Sequence, residues 1–145
     1  MAANSRFAMA THILLAIALE QDQKPDGEKN TRVNSQRVAG SVNTNPVVVR
    51  RIVSDLTKAK MITSFAGKGG GLVLTRPPQQ ISLQEIYEAL GEQPVFAYNP
   101  NKPNPKCPLS KKMAQVLRPV FADVQLGVSN QLAKIKLSDL KKKFA

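Results

Sequence analysis

The chain has 145 residues, 42% of them hydrophobic and only 5% aromatic, with no tryptophan. That composition fits one globular core and argues against an aromatic platform for single-stranded nucleic acid. Lysine and arginine number 21 against 10 acidic residues, and the net charge of +11 favours a polyanionic partner, with DNA ahead of an anionic membrane surface.

The N-terminal part is predicted to contain one long helix. Ser5 is suited to cap a helix from Ser5 to Glu20. Its buried face is predicted to consist of Phe7, Met9, Ala10, Ile13, Leu14, Ile17 and Ala18. The polar segment from Gln21 to Asn30 follows as a predicted exposed loop, and Thr31 to Val33 as a short strand.

The next segment has the features of two short helices joined by a tight turn. Asn34 or Ser35 is suited to cap the first helix, and Asn43 tolerates the left-handed conformation that ends many helices. Asn45 is a second cap, followed by Pro46 at the first helical position of a helix that reaches about residue 60. The predicted inward faces are Val38, Ala39 and Val42 in the first helix and Val49, Ile52, Val53 and Leu56 in the second.

A hairpin is predicted after these helices. Two alternating apolar segments, Ile62 to Phe65 and Leu72 to Leu74, flank a glycine-rich turn, and Pro77 with Pro78 is expected to end the second strand. Ser82 and Glu85 then form a capping-box motif that starts a helix from Leu83 to Leu90.

The C-terminal third is predicted to consist of an irregular connection, a long helix and a short tail. Gln93 to Pro108 holds five of the ten prolines, and Ser110 is suited to cap the helix that follows. Pro119 is expected to kink or break this helix. The tail, Ser138 to Ala145, is predicted to be a short solvated helix. An apolar seam runs through Met113, Leu117, Val120, Val124, Val128, Leu132 and Ile135.

Such a seam, beyond a domain closed by its own core, is most simply covered by a partner subunit. The predicted dimerisation residues are Met113, Leu117, Val120, Val124, Val128 and Leu132. The alternative is that the helix folds back on its own domain. The expected organisation is a DNA-binding domain over residues 1–91, an irregular effector or cysteine loop over 92–109, and a dimerisation helix with a short basic helix over 110–145.

The helices and the hairpin together predict a winged helix-turn-helix, a fold that is mainly α with a small β-hairpin, whose second helix enters the DNA major groove. An arginine side chain can donate hydrogen bonds to both O6 and N7 of one guanine, and a valine side chain can contact the methyl group of thymine. Arg50 and Arg51 point about 100° apart on a helix, so one of them is expected to bind only phosphate. The predicted DNA-binding residues are Asn34, Ser35, Gln36, Asn45, Val47, Val48, Arg50, Arg51, Lys68, Gly69 and Gly70. The alternative is a solvated charged face.

Signals for catalysis, metal binding and export are missing. The glycine-rich turn from Gly67 to Gly71 is not a Walker loop, because the G-x-x-x-x-G-K-[ST] pattern is absent. His12 is the sole histidine and Cys107 the sole cysteine, which argues against an enzyme, a zinc site and an internal disulfide. No secretory signal is evident, so the protein is expected to be cytoplasmic.

From Phe7 to Leu90 the chain resembles the bacterial Rrf-two family of winged-helix transcription regulators. The resemblance rests on V-N-S-Q-R-V-A before the turn, K-G-G-G-L-V-L-T-R in the wing and I-S-L-Q-E-I-Y-E-A-L after it. The C-P-L-S segment and the terminal I-K-L-S-D-L extend it over nearly the whole chain. It implies a homodimer formed through the long C-terminal helix, which binds a pseudo-palindromic operator in double-stranded DNA, usually as a repressor.

Cluster-binding members of that family have three cysteines before the long helix, whereas this chain has only Cys107. Val95 and Asn101 lie near the expected positions of the other two. Since thiolates are the usual ligands of iron–sulfur clusters, we predict no cluster and no other cofactor. Cys107 is a candidate redox sensor because lysines and a helix N-terminus surround it, and the alternative is a packing cysteine.

Two further functions compete with a DNA-binding repressor controlled by an unidentified signal. The first is a small-molecule or protein sensor module that has lost specific DNA binding, with its site at the proline-rich connection. The second is membrane-surface binding through the lysine-rich tail, which is weaker because no amphipathic helix with large apolar residues accompanies the lysines.

Overall fold

Six α-helices and one β-hairpin make up the part of the chain that the computed structural model describes, residues 5–22, 32–91 and 94–144. The α-helices are α1 (Ser5–Asp22), α2 (Ser35–Val42), α3 (Pro46–Lys58), α4 (Leu83–Ala89), α5 (Pro108–Ala133) and α6 (Leu137–Lys141). The strands are β1 (Ile62–Phe65) and β2 (Gly71–Leu74), and short 3-10 turns span Pro78–Gln80 and Lys142–Phe144. The predicted winged helix-turn-helix fold is confirmed.

One hydrophobic core holds these elements together. The predicted inward faces of α1, α2 and α3 all contribute, and α1 makes contacts with α2, α3, α4 and α6. Each fully buried aliphatic side chain contributes about 1.5–3 kcal/mol to the free energy of unfolding. The least exposed core residues are Ile13, Leu14, Ile17, Ile52, Leu56, Met61, Ile62, Leu72, Ile81, Ile86, Leu137 and Val33.

The hairpin pairs antiparallel, with Ile62 opposite Leu74 and Phe65 opposite Gly71. Its second strand ends at Leu74, before the prolines that were expected to end it. Val33 makes a single bridge to Leu72 instead of the predicted strand from Thr31, and Thr31 lies outside the described residues. This bridge attaches the segment before α2 to the hairpin.

The first helix is longer than predicted, because Gln21 and Asp22 continue it. The rest of the predicted loop, 23–30, lies outside the described residues. The helix begins at Ser5, as predicted, and the capping role of Ser5 stays a prediction. No helix within the described ranges combines the length and the apolarity needed to cross a bilayer.

The capping box of α4 is formed as predicted. Ser82 Oγ accepts from the Glu85 N–H at 3.1 Å, and Glu85 Oε2 accepts from the Ser82 N–H at 2.8 Å. Burial raises the pKa of the Glu85 carboxyl, but the Ser82 N–H and the Arg76 guanidinium outweigh this effect, and the net result is a lowered pKa. The ionised carboxylate therefore stabilises the start of α4 at neutral pH.

The long helix departs from the prediction at its start and continues through its proline. It begins at Pro108, and Ser110 does not cap it, because Ser110 Oγ accepts from the Asn104 N–H at 2.8 Å in the preceding turn. The helix runs through Pro119 for 26 residues, so Pro119 does not break it, since the loss of one hydrogen bond costs less than unwinding both flanking segments. The alternative expectation, a kink at Pro119, stays a prediction.

The chain after α5 returns to the N-terminal domain, which the sequence did not predict. The Leu137 N–H donates to Ile81 O at 2.8 Å, and the Leu83 N–H donates to Ile135 O at 2.9 Å. Leu137 is fully buried, and Lys141 pairs with Asp22 of α1. The tail is therefore less solvated than predicted, because α6 packs on α1 instead of extending into solvent.

The connection before α5 is irregular, as predicted, and packs along that helix. The rings of Phe96 and Tyr98 lie 5.6 and 5.1 Å from the Phe121 ring. The Val95 N–H donates to Gln125 Oε1 at 3.0 Å. These contacts cover one side of the middle of α5.

Candidate DNA-binding interface

Three asparagines set the start of α2 and the turn that joins α2 to α3. Asn34 Oδ1 accepts from the Gln36 N–H at 2.8 Å and caps α2. Asn43 ends α2 in the left-handed conformation, with φ 54° and ψ 51°. Asn45 Oδ1 accepts from the Val47 N–H at 2.9 Å and caps α3, whose first residue is Pro46. The caps and turn expected from the sequence are confirmed.

The outward face of α3 presents a valine between two arginines. Val49, Ile52 and Leu56 are buried, so the opposite face is directed outward. Val47 is exposed on that face, and Arg50 and Arg51 flank it on either side. Val48 is turned further toward the domain and packs against the core.

A groove of about 1080 Å³ lies between α2, α3 and the hairpin. Its floor is apolar, with Ala39, Val49 and Leu72, and its rim is polar or basic, with Arg50 and Lys58 among its residues. Of the predicted DNA-binding residues, Ser35, Gln36 and Arg50 line this groove. Arg51 does not, and instead lies beside Arg6 and Asp55 on the flank that faces α1.

The turn between the strands, which is the wing of the fold, requires glycine. Gly67 and Gly69 have φ values of 80° and 79°, which favour glycine strongly. A Cβ added at Gly70 would lie 2.2 Å from the Phe65 carbonyl oxygen. Lys68 is exposed at the tip of this turn. The glycines thus set a tight backbone loop that presents one cation.

Two arginines outside the helix-turn-helix contact this interface, and the sequence reasoning missed both. Arg6 Nη2 donates to Asp55 Oδ2 at 2.6 Å and ties α1 to α3. Arg32 Nη1 donates to Gly69 O at 2.9 Å, and its guanidinium carbon lies 3.8 Å from the centre of the Phe65 ring. Since Arg32 and Gly69 are separated by 37 positions in the sequence, local patterns carry no signal for this contact.

His12 and Cys107 each have separate local surroundings. The His12 Nε2 lies 2.8 Å from Ser41 Oγ and links α1 to α2 at an exposed position. Cys107 is half-buried immediately before α5, and its N–H donates to Asn104 O at 3.1 Å. The role of Cys107 as a redox sensor stays a prediction.

The residues present do not fit an iron–sulfur cluster. The whole chain supplies one cysteine and one histidine. Asn101 and Val95 lie near the expected positions of the missing cysteines, and their backbone N–H groups donate to the side-chain oxygens of Asn99 in the loop and Gln125 on α5. No group of three or more metal-binding side chains exists within the described residues. One thiolate per subunit is an inadequate donor set for such a cluster.

Replacing Gly70 with alanine is expected to distort the wing. The new Cβ would meet the Phe65 and Gly67 carbonyl oxygens at 2.2 and 2.8 Å, and neither backbone atom moves cheaply. We expect the free energy of unfolding to fall by about 2 kcal/mol, and binding to double-stranded DNA to weaken. Thermal unfolding and electrophoretic mobility shifts measure the two effects.

Gly40→Ala is the matched control for unfolding, because a Cβ at Gly40 meets nothing within 4 Å in α2. It is expected to stabilise the helix by roughly 0.8–1 kcal/mol. If Gly70→Ala has the same free energy of unfolding and the same DNA affinity as the unmodified protein, the wing that contacts DNA does not have this tight turn.

Comparison with known proteins matches this chain to a family. The model of the Rrf2 family, described as an iron-dependent transcriptional regulator, matches residues 3–143. YwnA of Bacillus subtilis (strain 168), a protein named as an HTH-type transcriptional regulator, is 44% identical over 138 residues, which are 94% of this chain and 95% of YwnA. The family and this relative are transcriptional regulators and not enzymes, in agreement with the sequence prediction.

Solved structures show the same fold. A crystal structure described as that of a DNA-binding protein is 39% identical, with a TM-score of 0.69, over 94% of this chain and 98% of that one. A transcriptional regulator from Lactobacillus plantarum has a TM-score of 0.76 at 22% identity, over 96% of this chain and 89% of that one. At 22% identity, the similarity to the Lactobacillus plantarum structure shows only that the two proteins share a fold.

Proposed function

This chain belongs to the Rrf2 family of helix-turn-helix transcriptional regulators, and from that premise we propose that it is a cytoplasmic, dimeric repressor of a pseudo-palindromic operator. The observation that carries the proposal is the shared surface of α3, the N-terminus of α2 and the strands of the hairpin, which together bound one groove. Helix N-termini and glycine-rich turns present N–H groups to phosphate, while the helix between them reaches base edges.

Each predicted DNA-binding residue receives a role from its place on this surface. Val47 and Arg50, at the exposed start of α3, read base edges, whereas the Asn45 side chain caps α3 and acts indirectly. Ser35 and Gln36 at the start of α2, and Lys68 with Gly69 and Gly70 in the wing, bind phosphates. Asn34 acts indirectly, because its side chain caps α2, and Val48 supports α3 from the core side. Arg51 binds phosphate on the opposite flank.

The dimer is proposed to form through an unpartnered apolar stripe on α5. The stripe, named here the α5 stripe, consists of Leu109, Met113, Val116, Val120 and Val124, which are all exposed and recur every three or four residues. The α5 stripe includes three of the predicted dimerisation residues, Met113, Val120 and Val124. The other three predicted residues, Leu117, Val128 and Leu132, are half-buried, and Leu132 packs against the core of its own domain.

A symmetric dimer explains why such a stripe is tolerated on a long helix. Exposed apolar side chains in a continuous row mark an interaction surface, and in a two-fold interface the same row serves both partners. Two recognition helices presented by one dimer then match two half-sites of a palindromic operator. Because the residues do not fit an iron–sulfur cluster, we propose that its signal acts without one.

Selecting bound fragments from the source genome tests the proposed function. We expect enrichment of fragments that contain an inverted repeat. If the protein makes roughly six to ten phosphate contacts, its affinity for these fragments should fall by a factor of about 10³–10⁵ between about 50 and 200 mM salt. If the protein enriches no fragment and shifts none at physiological salt, the alternative of a sensor module without specific DNA binding is favoured instead.

A further inference from the structure

Arg32 lies before α2 and contacts the wing, although it belongs to neither element. Its guanidinium carbon is 3.8 Å from the centre of the Phe65 ring, at the end of β1. Its Nη1 donates to Gly69 O at 2.9 Å, in the turn that follows. The guanidinium is therefore held from two sides by the base and the tip of the wing.

We propose that Arg32 is a phosphate-binding residue of the DNA interface, positioned by Phe65 and Gly69. This inference rests on the proposed function and adds a cation that the helix-turn-helix pattern does not contain. The ligand is a backbone phosphate of double-stranded DNA, so Arg32 contributes to affinity for every sequence and not to the choice of sequence.

The charge of Arg32 is available for such a ligand. A guanidinium has five N–H donors, and Gly69 O takes one of them. Within the described ranges, Arg6, Arg37 and Arg76 each pair with a carboxylate, whereas Arg32 pairs with none. The Arg32 side chain is also exposed, and no acidic residue of the described ranges forms an ion pair with it.

The guanidinium is also preorganised. Stacking on Phe65 and the bond to Gly69 O restrict a side chain that otherwise loses much rotamer freedom when it binds. The planar fork suits two oxygens of one phosphate. Lys68, which is exposed at the tip, carries instead a compact point charge on a flexible stem. Arg32 is therefore expected to bind phosphate at a lower entropic cost than Lys68.

The backbone around Arg32 places it between two proposed phosphate-binding elements. Val33, the next residue, exchanges two hydrogen bonds of 2.8 Å with Leu72 of β2. Asn34 follows and caps α2, whose residues Ser35 and Gln36 line the groove. The Arg32 side chain thus lies on the surface that runs from the wing tip to the start of α2, along which a DNA strand would pass.

The decisive experiment measures affinity against salt for Arg32→Gln. Glutamine keeps a planar polar group at this position but removes the charge. We expect affinity for the operator and for an unrelated duplex to fall by the same factor. The slope of log affinity against log salt should become shallower by about 0.9 for each subunit's lost contact.

Arg37→Gln is the matched control, because it also removes one exposed arginine. Arg37 pairs with Glu20 on α1 and does not line the groove, so the slope should not change. Arg32→Lys keeps the charge and should keep the slope, with weaker affinity than the unmodified protein. Arg32→Met provides a second uncharged variant should Arg32→Gln fold poorly, and circular dichroism checks the fold of each.

An unchanged salt slope in the folded uncharged variants would overturn the inference and leave Arg32 as a brace of the wing. A loss confined to the operator, with the unrelated duplex bound as before, would also overturn it, because that result indicates base reading. Failure of the proposed function is a separate result, since the unmodified protein would then bind no duplex at all.

Discussion

Val120→Asp is expected to convert the protein into a monomer and to lower operator affinity by about 10²–10⁴-fold, because a monomer loses the second, tethered half-site. Val120 lies in the middle of the α5 stripe, and its side chain is 52% exposed in the single chain. A symmetric dimer would bury two aspartates close together, so desolvation and like-charge repulsion both oppose association. Sedimentation equilibrium measures the mass, and mobility shifts measure the affinity.

Leu126→Asp is a matched control on the same helix. Leu126 is 59% exposed, slightly more than Val120, but it lies about 120° away around the helix and outside the α5 stripe. It should remain dimeric and bind DNA normally. If Val120→Asp stays dimeric while Leu126→Asp dissociates, the interface lies on another face of α5. If both variants stay dimeric, α5 does not hold the dimer.

Arg50→Ala is expected to lower the discrimination between the operator and unrelated DNA by about 1–3 kcal/mol for each half-site. Arg50 lines the groove between α2, α3 and the hairpin, at the exposed start of α3, where a helix meets base edges. Binding to unrelated duplexes should change much less. Competition assays with single-base variants of the operator locate the base pair that the arginine reads.

Arg51→Ala is the paired variant and should behave differently. Arg51 lies on the flank beside Arg6 and Asp55, outside the groove. Its loss should weaken all duplexes alike and reduce the salt slope by about 0.9 for each subunit. The opposite result, with discrimination lost in Arg51→Ala, would exchange the two roles. If neither variant affects binding, α3 is not the recognition helix in this register.

Much of the local structure was predictable because short-range chemistry controls it. Asn34, Asn43 and Asn45 act on backbone groups within a few residues, so their capping and turn roles can be read from the sequence. Ser110 shows where that reasoning fails. Its hydroxyl was equally suited to cap a helix, but the chain before it turns so that the Asn104 N–H reaches it first. A capping residue identifies a helix start only when the preceding backbone leaves its side chain free.

The sequence by itself determined the fold class, the asparagine caps, the two strands of the hairpin and the family, since periodicity, turn residues and motifs all act locally. Only the tertiary structure decided which side of α5 is left without a partner, because Leu117, Val128 and Leu132 satisfy the same apolar spacing as the exposed stripe. It also decided that Leu137 completes the core and that Arg32 reaches the wing. These contacts join residues far apart in the sequence, and their energies depend on three-dimensional packing that no local pattern encodes.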